Sequence, residues 1–192
     1  MTSDALLSNS NVPTETTDNE IPVISPDRQF IQLALEVETP ILLSVLNLFE
    51  ILTISTSQVV PMFQMPPWVI GVYNWRGDIL WVVDLNHLVG FSPWYQQKNY
   101  VSKHTVVVLK GQSEQVPSNV KASVLGLVVN RVSDMVICEP ELIQAITNLA
   151  IPETIRPFLE GYWRGDTSKD HWILNGEAVL NAITTADQPI TR

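Results

Sequence analysis

The tetrapeptide Trp-Arg-Gly-Asp occurs twice in this chain, at residues 75–78 and 163–166. A Gly and a Tyr precede each copy. A Trp, two aliphatic residues and an Asp or Asn suited to helix capping follow each copy, at residues 81–84 and 172–175. A unit of strand, Arg-Gly turn, strand and capped helix is therefore used twice. Such repetition predicts two similar β-rich lobes and directs the search for function to surfaces rather than to a catalytic cleft.

The composition indicates a chain with a real hydrophobic core and disfavours three classes of protein. Of its 192 residues, 45% are hydrophobic and six are Trp. The net charge of -9 argues against a nucleic-acid binder, which needs a basic surface. No apolar run approaches the ~20 residues of a transmembrane helix, and the N-terminus does not resemble a secretory signal. With Cys138 as its single cysteine, the chain is expected to be cytoplasmic, without direct membrane insertion.

Charge and periodicity divide the chain into three segments. Residues 1–27 contain five acidic residues, no Lys or Arg, and no hydrophobic period, which is typical of a disordered acidic tail. Residues 28–186 form the predicted domain, and residues 187–192 form a polar C-terminal tail.

Hydrophobic periodicity predicts a mainly β domain with about nine short strands and two or three short helices. Tight turns between strands favour small antiparallel barrels over a doubly wound sheet. Residues 45–51 fit either a helical turn or an irregular strand, and at most one helical turn is expected, near residues 142–146. The clearest predicted strands cover residues 30–37, 41–43, 68–73, 79–83 (apolar on both faces), 104–110, 124–132 and 135–138.

Signals of catalysis are weak, and we expect neither an enzyme nor a cofactor or metal site. The residues His87, His104 and His171 lie far apart and have no metal-ligand spacing. Cys138 lies in an apolar run without a nearby His or cation, which favours an inert buried thiol. There is no Gly-x-Ser-x-Gly elbow and no glycine-rich phosphate loop.

The first Arg-Gly turn is the better functional candidate. In a hairpin turn Gly77 supplies the positive φ and Arg76 points outward. Arg and aromatic residues are common interface anchors, so Arg76 beside Trp75 can contact a partner. It can equally stack on its own aromatic neighbours, and the residues alone favour neither interpretation over the other. For Trp81 and Trp172 we expect core positions, with Trp→Ala costing roughly 3–5 kcal/mol.

The order of these segments resembles the CheW family, the adaptors of bacterial chemosensory arrays. The family stretch Gly-Val-x-Asn-Leu-Arg-Gly stands here as residues 71–77, and an apolar strand, Asp-Leu and a short helix follow. Residues 46–51 resemble the family's Val-x-Glu-Val/Ile segment, and residues 66–70 resemble its Pro-x-x-Ile/Leu segment. Residues 125–132 resemble its Gly-Leu-x-Val-Asp-x-Val strand. The resemblance covers about residues 29–183.

The resemblance implies two interlocked five-stranded SH3-like β-barrel lobes and no catalysis. It implies an adaptor that couples the cytoplasmic tip of a methyl-accepting chemoreceptor to the regulatory domain of a CheA-type histidine kinase. The partner-binding residues that it implies lie in a groove between the lobes, and they are Leu48, Glu50, Gly71, Asn74, Trp75 and Arg76.

The chain also departs from the family pattern. Trp75 replaces an aliphatic residue, Asn130 replaces an Asp, and the second helix cap is Asn175 instead of Asp. Since Asn caps a helix nearly as well as Asp, the expected fold is unaffected. Trp75 beside the contact Arg bears on the choice of partner. A divergent module that serves a twitching-motility or phototaxis (type IV pilus) array, or that competes with another adaptor, therefore remains an alternative.

Overall fold

The computed structural model describes residues 24–36, 40–97, 102–111, 124–148, 150–165 and 170–186. These residues form two five-stranded sheets and a few short helices, as the mainly β prediction requires. The α-helices are α1 (Leu85–Leu88) and α2 (Gly176–Ala186). The strands are β1 (Gln29–Ala34), β2 (Ile41–Ser44), β3 (Leu48–Ser55), β4 (Val69–Trp75), β5 (Asp78–Asp84), β6 (Lys103–Lys110), β7 (Val124–Val129), β8 (Arg131–Ile137), β9 (Leu159–Arg164) and β10 (Asp170–Leu174).

The two sheets repeat one arrangement of strands. Lobe 1 has the order β3-β6-β7-β5-β4, and lobe 2 has the order β8-β1-β2-β10-β9. The repeated hairpin, β4–β5 or β9–β10, lies at one edge of each sheet. Its second strand runs parallel to the neighbouring strand, β7 or β2, and the other pairs are antiparallel. The chain begins lobe 2 with β1 and β2, builds lobe 1, and returns to complete lobe 2, so the lobes interlock.

The inner strands bury both of their faces because alternate residues enter different cores. In β6, Val106 and Val108 face the lobe-1 core, whereas Val107 and Leu109 face a core shared by both lobes. The lobe-1 core consists of Ile54, Val59, Leu80, Val82, Val106, Val108 and Val128. The smaller lobe-2 core consists of Phe30, Leu42, Cys138 and Ile173. The shared core includes Ile31, Leu33, Ile41, Leu43, Val83, Val107, Leu109, Leu125, Leu127, Val129, Trp172, Leu174, Val179 and Leu180.

Strand β5 follows the prediction of an apolar strand covered on both faces, except at its start. Residues 80–83 are covered from the lobe-1 core and the shared core in alternation. Ile79 is instead 71% exposed, because it adjoins the turn at the tip of the hairpin. Trp172 is buried in the shared core, as expected, whereas Trp81 packs against that core and is only half-buried.

A short backbone bridge joins the two edge strands of each sheet. Val60, which follows β3, pairs with Val72 of β4 through N–H···O bonds of 2.8 and 2.9 Å. Gln144, which follows β8, pairs with Tyr162 of β9 through bonds of the same lengths. Both bridges therefore occupy the same place in their lobes, and they bring the outer strands of each sheet together.

A glycine precedes the bridged residue in both lobes because the crossing backbone leaves no room for a side chain. A Cβ at Gly71 would lie 2.1 Å from the Val60 carbonyl oxygen, and one at Gly161 would lie 2.7 Å from that of Gln144. Each glycine follows a β-bulge, which lets the strand bend toward the bridge. The glycines of the repeated unit are thus explained by the closure of each lobe.

Both α-helices begin at a capping side chain. Asp84 Oδ1 accepts a bond from the His87 N–H at 3.4 Å, and Asn175 Oδ1 accepts one from the Ala178 N–H at 2.9 Å. On α2, Val179 and Leu180 are buried and Ile183 packs against the shared core, so the predicted apolar face is confirmed. None of the described helices is long and apolar enough to cross a membrane.

Four local predictions need correction. The Arg-Gly turn predicted for the second unit is wrong, because Arg164 belongs to β9 and pairs with Asp170, whereas Arg76 and Gly77 lie between the paired residues Trp75 and Asp78. The strand predicted for residues 124–132 breaks at Asn130, where the chain leaves β7 of lobe 1 and enters β8 of lobe 2. The helical turn expected near 142–146 is replaced by 3₁₀ turns at Pro140–Leu142 and Ile146–Asn148, because the intervening Gln144 backbone pairs with Tyr162. Each sheet also contains a parallel pair, where only antiparallel pairing was expected.

The segments on either side of the domain are described only in part. Residues 1–23 of the predicted tail, and residues 187–192, lie outside the described residues. Pro26–Arg28 forms a 3₁₀ turn, and Arg28 pairs with Glu139 just after β8. Residues 45–51 contain both of the structures considered, a 3₁₀ turn at Val45–Asn47 and then the start of β3.

We expect Ala at either closing glycine to destabilise the protein strongly. Overpacking costs about 1–3 kcal/mol, and at Gly71 the φ of +152° adds strain. Urea unfolding of Gly71→Ala and Gly161→Ala measures the loss. Gly111→Ala is the matched control, because its Cβ would meet nothing closer than 3.6 Å. Equal unfolding midpoints for Gly161→Ala and Gly111→Ala would contradict the closure role.

Candidate partner-binding surface

The Glu50 carboxylate joins the two edge strands of lobe 1. Its Oε1 accepts a hydrogen bond from the Trp75 indole Nε1–H, and its Oε2 accepts one from the Arg76 guanidinium at 2.5 Å. The Glu50 side chain is only 20% exposed, whereas that of Arg76 is 65% exposed. A register shift between Leu48 and Glu50 marks a bulge in β3 at this point. Three of the six predicted site residues are thus in direct contact.

The turn that carries Arg76 has positive φ at both of its central residues. The φ values are 54° at Arg76 and 87° at Gly77, as a two-residue type I′ hairpin turn requires. Asn74 Oδ1 accepts a bond from the Gly77 N–H at 3.1 Å and supports the turn. A left-handed conformation costs a non-glycine residue roughly 1–2 kcal/mol. The turn pattern had predicted a positive φ only at Gly77, so the positive φ of Arg76 is an addition.

Arg76 combines the two alternatives that the sequence left open. Its Cζ lies 5.4 Å from the centroid of the Trp75 ring, so it does stack on its aromatic neighbour. Its side chain nevertheless remains largely exposed. The Glu50 bond and the Trp75 ring together hold an exposed guanidinium in a defined position.

Exposed apolar side chains lie beside this cluster, and they were not among the predicted site residues. Phe49 is 48% exposed, and its ring stands edge-on to that of Trp75 with centroids 5.3 Å apart. Ile51 of β3 and Ile79 beside the turn are 46% and 71% exposed. Phe49 and Ile51 flank Glu50 in the sequence. Because residues two apart in a strand lie on one face, this spacing could have predicted that both side chains share a surface.

The other predicted site residues differ in their accessibility. Asn74 is exposed beside the turn. Leu48 is half-buried and packs against the shared core. Gly71 is buried where the backbones cross, so its evident role is in closing lobe 1.

The second copy of the repeated unit pairs its arginine differently. Arg164 binds Asp170 across its own hairpin, with N···O distances of 2.7 and 2.8 Å. Trp163 packs against His171, with ring centroids 5.4 Å apart. When the paired residues are followed from strand to strand in each sheet, Asp134 of β8 has the position in lobe 2 that Glu50 of β3 has in lobe 1. The registers align Trp163 with Tyr73 and Arg164 with Asn74, so the two tetrapeptides occupy different positions in their hairpins and present different surfaces.

The groups that could support chemistry are dispersed in the described part of the chain. The described residues contain no group of three His, Cys, Asp or Glu side chains placed to hold a metal ion. Burial raises the pKa of the Cys138 thiol to about 11, which disfavours the thiolate. Burial also raises the pKa of Asp84, against the opposing effect of hydrogen bonds from the Trp94 and His87 N–H groups.

A cavity of about 330 Å³ lies beside His104 in lobe 1. His104 is buried, its Nε2 lies 3.3 Å from Thr56 Oγ1, and the Trp94 ring stands edge-on to it at 4.6 Å. Burial lowers the pKa of His104. Lys103 and Asn130 also line the cavity. The cavity and the Glu50 cluster involve different residues.

Comparison with known proteins matches the CheW-like domain to residues 29–184. The chain belongs to the CheW-like domain family. The fold of this CheW-like chain is also similar to the crystal structure of the scaffolding protein TtCheW from Thermoanaerobacter tengcongensis. The TM-score is 0.61 and the identity 17%, over 78% of this chain and 89% of that one. No curated protein matches the sequence.

We expect Glu50 and Arg76 to be energetically coupled. In a double-mutant cycle of Glu50→Ala and Arg76→Ala, the coupling should be about 0.5–1 kcal/mol and should fall in high salt, because Arg76 is largely exposed. The same cycle at Arg164 and Asp170 is the matched comparison in lobe 2. Additive urea-unfolding energies for Glu50 and Arg76 would show that the contact contributes nothing to stability.

We expect His104 to lower stability in mild acid. Its folded pKa is depressed, so the unfolded chain binds the proton more tightly, and stability falls as the pH drops below about 6.5. His104→Gln, which cannot be protonated, should lose less stability between neutral pH and pH 5. Thermal unfolding across this range tests the point, and parallel pH profiles for the two proteins would refute it.

Proposed function

We propose that this CheW-like chain is a non-catalytic scaffold of a bacterial chemosensory array. It couples the cytoplasmic tip of a methyl-accepting chemoreceptor to the regulatory domain of a CheA-type histidine kinase in the cytoplasm. The observation that carries the proposal is the Glu50–Trp75–Arg76 cluster, an exposed guanidinium fixed among exposed apolar side chains on a CheW-like lobe. The scaffolding description of the similar TtCheW supports it.

The cluster has the properties of an interface anchor. Arg and Trp dominate the binding energy of many protein interfaces, especially where they are held in place before binding. Here a tight turn, a carboxylate and an aromatic ring orient Arg76. A partner therefore meets an ordered cation and loses little side-chain entropy in binding it.

A scaffold must hold both partners at once, so its two docking surfaces must differ. The two lobes meet this requirement, since Arg76 and Arg164 stand at different places in their hairpins and pair with different acids. We expect micromolar single contacts, about -8 kcal/mol each, which the multivalency of an array strengthens. In this proposal, a displacement of the receptor reaches the kinase as a displacement of the packed lobes.

Among the residues that the structure describes, the groups capable of catalysis are used for other purposes. Asp84 caps α1, His104 packs against Trp94, and Cys138 lies in the lobe-2 core. These groups belong to different parts of the fold, and each has a structural explanation.

Reconstitution tests the scaffold role. The chain is combined with a CheA-type kinase and a receptor cytoplasmic fragment from the same cell, and autophosphorylation is measured with and without it. We expect a large stimulation that Arg76→Glu removes, because the exposed cation is replaced by an anion beside Glu50. Arg164→Glu is the matched control, because it also places a second carboxylate beside an acid, Asp170, but in lobe 2.

The outcomes separate the alternatives. Stimulation lost in Arg76→Glu and kept in Arg164→Glu supports a lobe-1 contact. Stimulation with partners of a pilus-associated array, and not with flagellar ones, assigns the chain to the alternative array. Inhibition of stimulation by another adaptor indicates a competitor. Failure to stimulate or to co-sediment with either partner set would overturn the proposal.

A further inference from the structure

The Trp75 indole N–H donates to a Glu50 carboxylate oxygen that could otherwise accept a hydrogen bond from a partner. One carboxylate oxygen accepts the Trp75 indole N–H, the other accepts the Arg76 guanidinium, and the Glu50 side chain is mostly covered. Of the three side chains in the cluster, that of Arg76 is the most exposed, and its guanidinium carries further N–H donors. Both Glu50 oxygens are thus engaged within the cluster, while Asn74 and Asp78 are exposed on the same hairpin and the chain as a whole is acidic.

The apolar neighbours of Trp75 define where a partner's apolar group would sit. Phe49 stands edge-on to the Trp75 ring, and the Arg76 guanidinium lies over that ring. A carboxylate that pairs with Arg76 therefore lies next to exposed aromatic surface. Charge-assisted pairing and apolar contact would be made by adjacent groups of the same partner segment.

The tryptophan of the second tetrapeptide stands at another place in its hairpin, because the strand registers align Trp163 with Tyr73 and not with Trp75. Trp163 packs against His171, and Arg164 is paired with Asp170 on the same hairpin. The acid at the place of Glu50, Asp134, is exposed. The arrangement around Trp75 therefore has no counterpart at Trp163 in lobe 2.

We propose that Trp75 determines the specificity of the lobe-1 surface. Because the Trp75 N–H is bound to Glu50, this carboxylate is not available to a cation of a partner. The surface therefore selects a partner segment that places a carboxylate next to an apolar side chain. The inference rests on the proposed function for its biological setting, since the segment would belong to a partner of the scaffold. Trp75 acts on selectivity through Glu50, and Arg76 makes the contact.

Peptide selection tests this specificity without a known partner. A phage-displayed library of random short peptides is selected on the full chain, and peptides that also bind Arg76→Ala are discarded. The best peptide and its Glu→Lys counterpart are then measured by fluorescence anisotropy. The proteins compared are the unsubstituted chain, Trp75→Phe, Glu50→Gln and the control Trp163→Phe.

We expect the selected peptides to place Asp or Glu beside an apolar residue. The unsubstituted chain should prefer the acidic peptide by about 10-fold or more, as one charge-assisted contact allows. In Trp75→Phe the ring remains but the N–H is lost, so Glu50 can accept a Lys and the preference should fall to about 3-fold or less. Glu50→Gln and Trp163→Phe should keep the preference, and similar thermal midpoints would confirm folding.

Several results would overturn the inference. These are enrichment of no peptide, enrichment without an acidic excess, or an unchanged preference in Trp75→Phe. A loss of preference in Glu50→Gln would also overturn it, because it would show that the anion itself is needed. Selectivity without kinase stimulation would refute the proposed function alone, whereas stimulation without selectivity would refute only this inference.

Discussion

The apolar core shared by both lobes is the constraint on which the rest of the structure depends. Strands of both sheets contribute alternate residues to it, such as Leu33 from lobe 2 and Val107 from lobe 1. Each fully buried Leu or Val side chain stabilises the fold by about 1.5–3 kcal/mol. Because the opposite faces of the same strands fill the core of each lobe, neither sheet has a solvent face along its inner strands. The lobes therefore form a single packed unit.

Because the inner strands of the described sheets are covered, the outer strands and hairpin tips are the parts of these sheets that are open to other contacts. The backbone closes both lobes in the same way, with a bulge, a glycine and a two-bond bridge at Val60 and at Gln144. Side chains then diverge on this repeated frame. Lobe 1 joins its edges through Glu50, whereas lobe 2 confines its Arg164–Asp170 pair to one hairpin. Duplication thus supplies the architecture, and local substitution supplies two different surfaces.

The lobe-1 surface is well suited to a protein whose function is to hold partners in position. Its exposed cation belongs to a two-residue turn, which has little conformational freedom, and it is held against both a carboxylate and a ring. A rigid anchor keeps the entropy cost of docking small. Membership of the CheW-like family agrees with such a role.

Much of the fold followed from local patterns in the sequence. The repeated tetrapeptide indicated two lobes, alternation located most strands, and Asp84 and Asn175 marked the helix starts. Errors occurred where a distant strand decides the local structure. The break at Asn130 marks a change of lobe, and the pairing of Gln144 with Tyr162 ends a helical turn. Neither has a signal within a few residues.

The candidate site shows the same division. The sequence by itself determined the Arg76-Gly77 hairpin turn with its aromatic neighbours, because turn geometry and strand alternation depend on residues close together in the chain. Only the tertiary structure decided that Glu50, far along the chain from the turn, accepts from both Trp75 and Arg76. It also decided that Arg164 has a different partner. Whether Glu50 reaches Arg76 depends on how the edges of the lobe-1 sheet meet, and no local pattern encodes that distance, whereas Arg164 and Asp170 face each other on one hairpin.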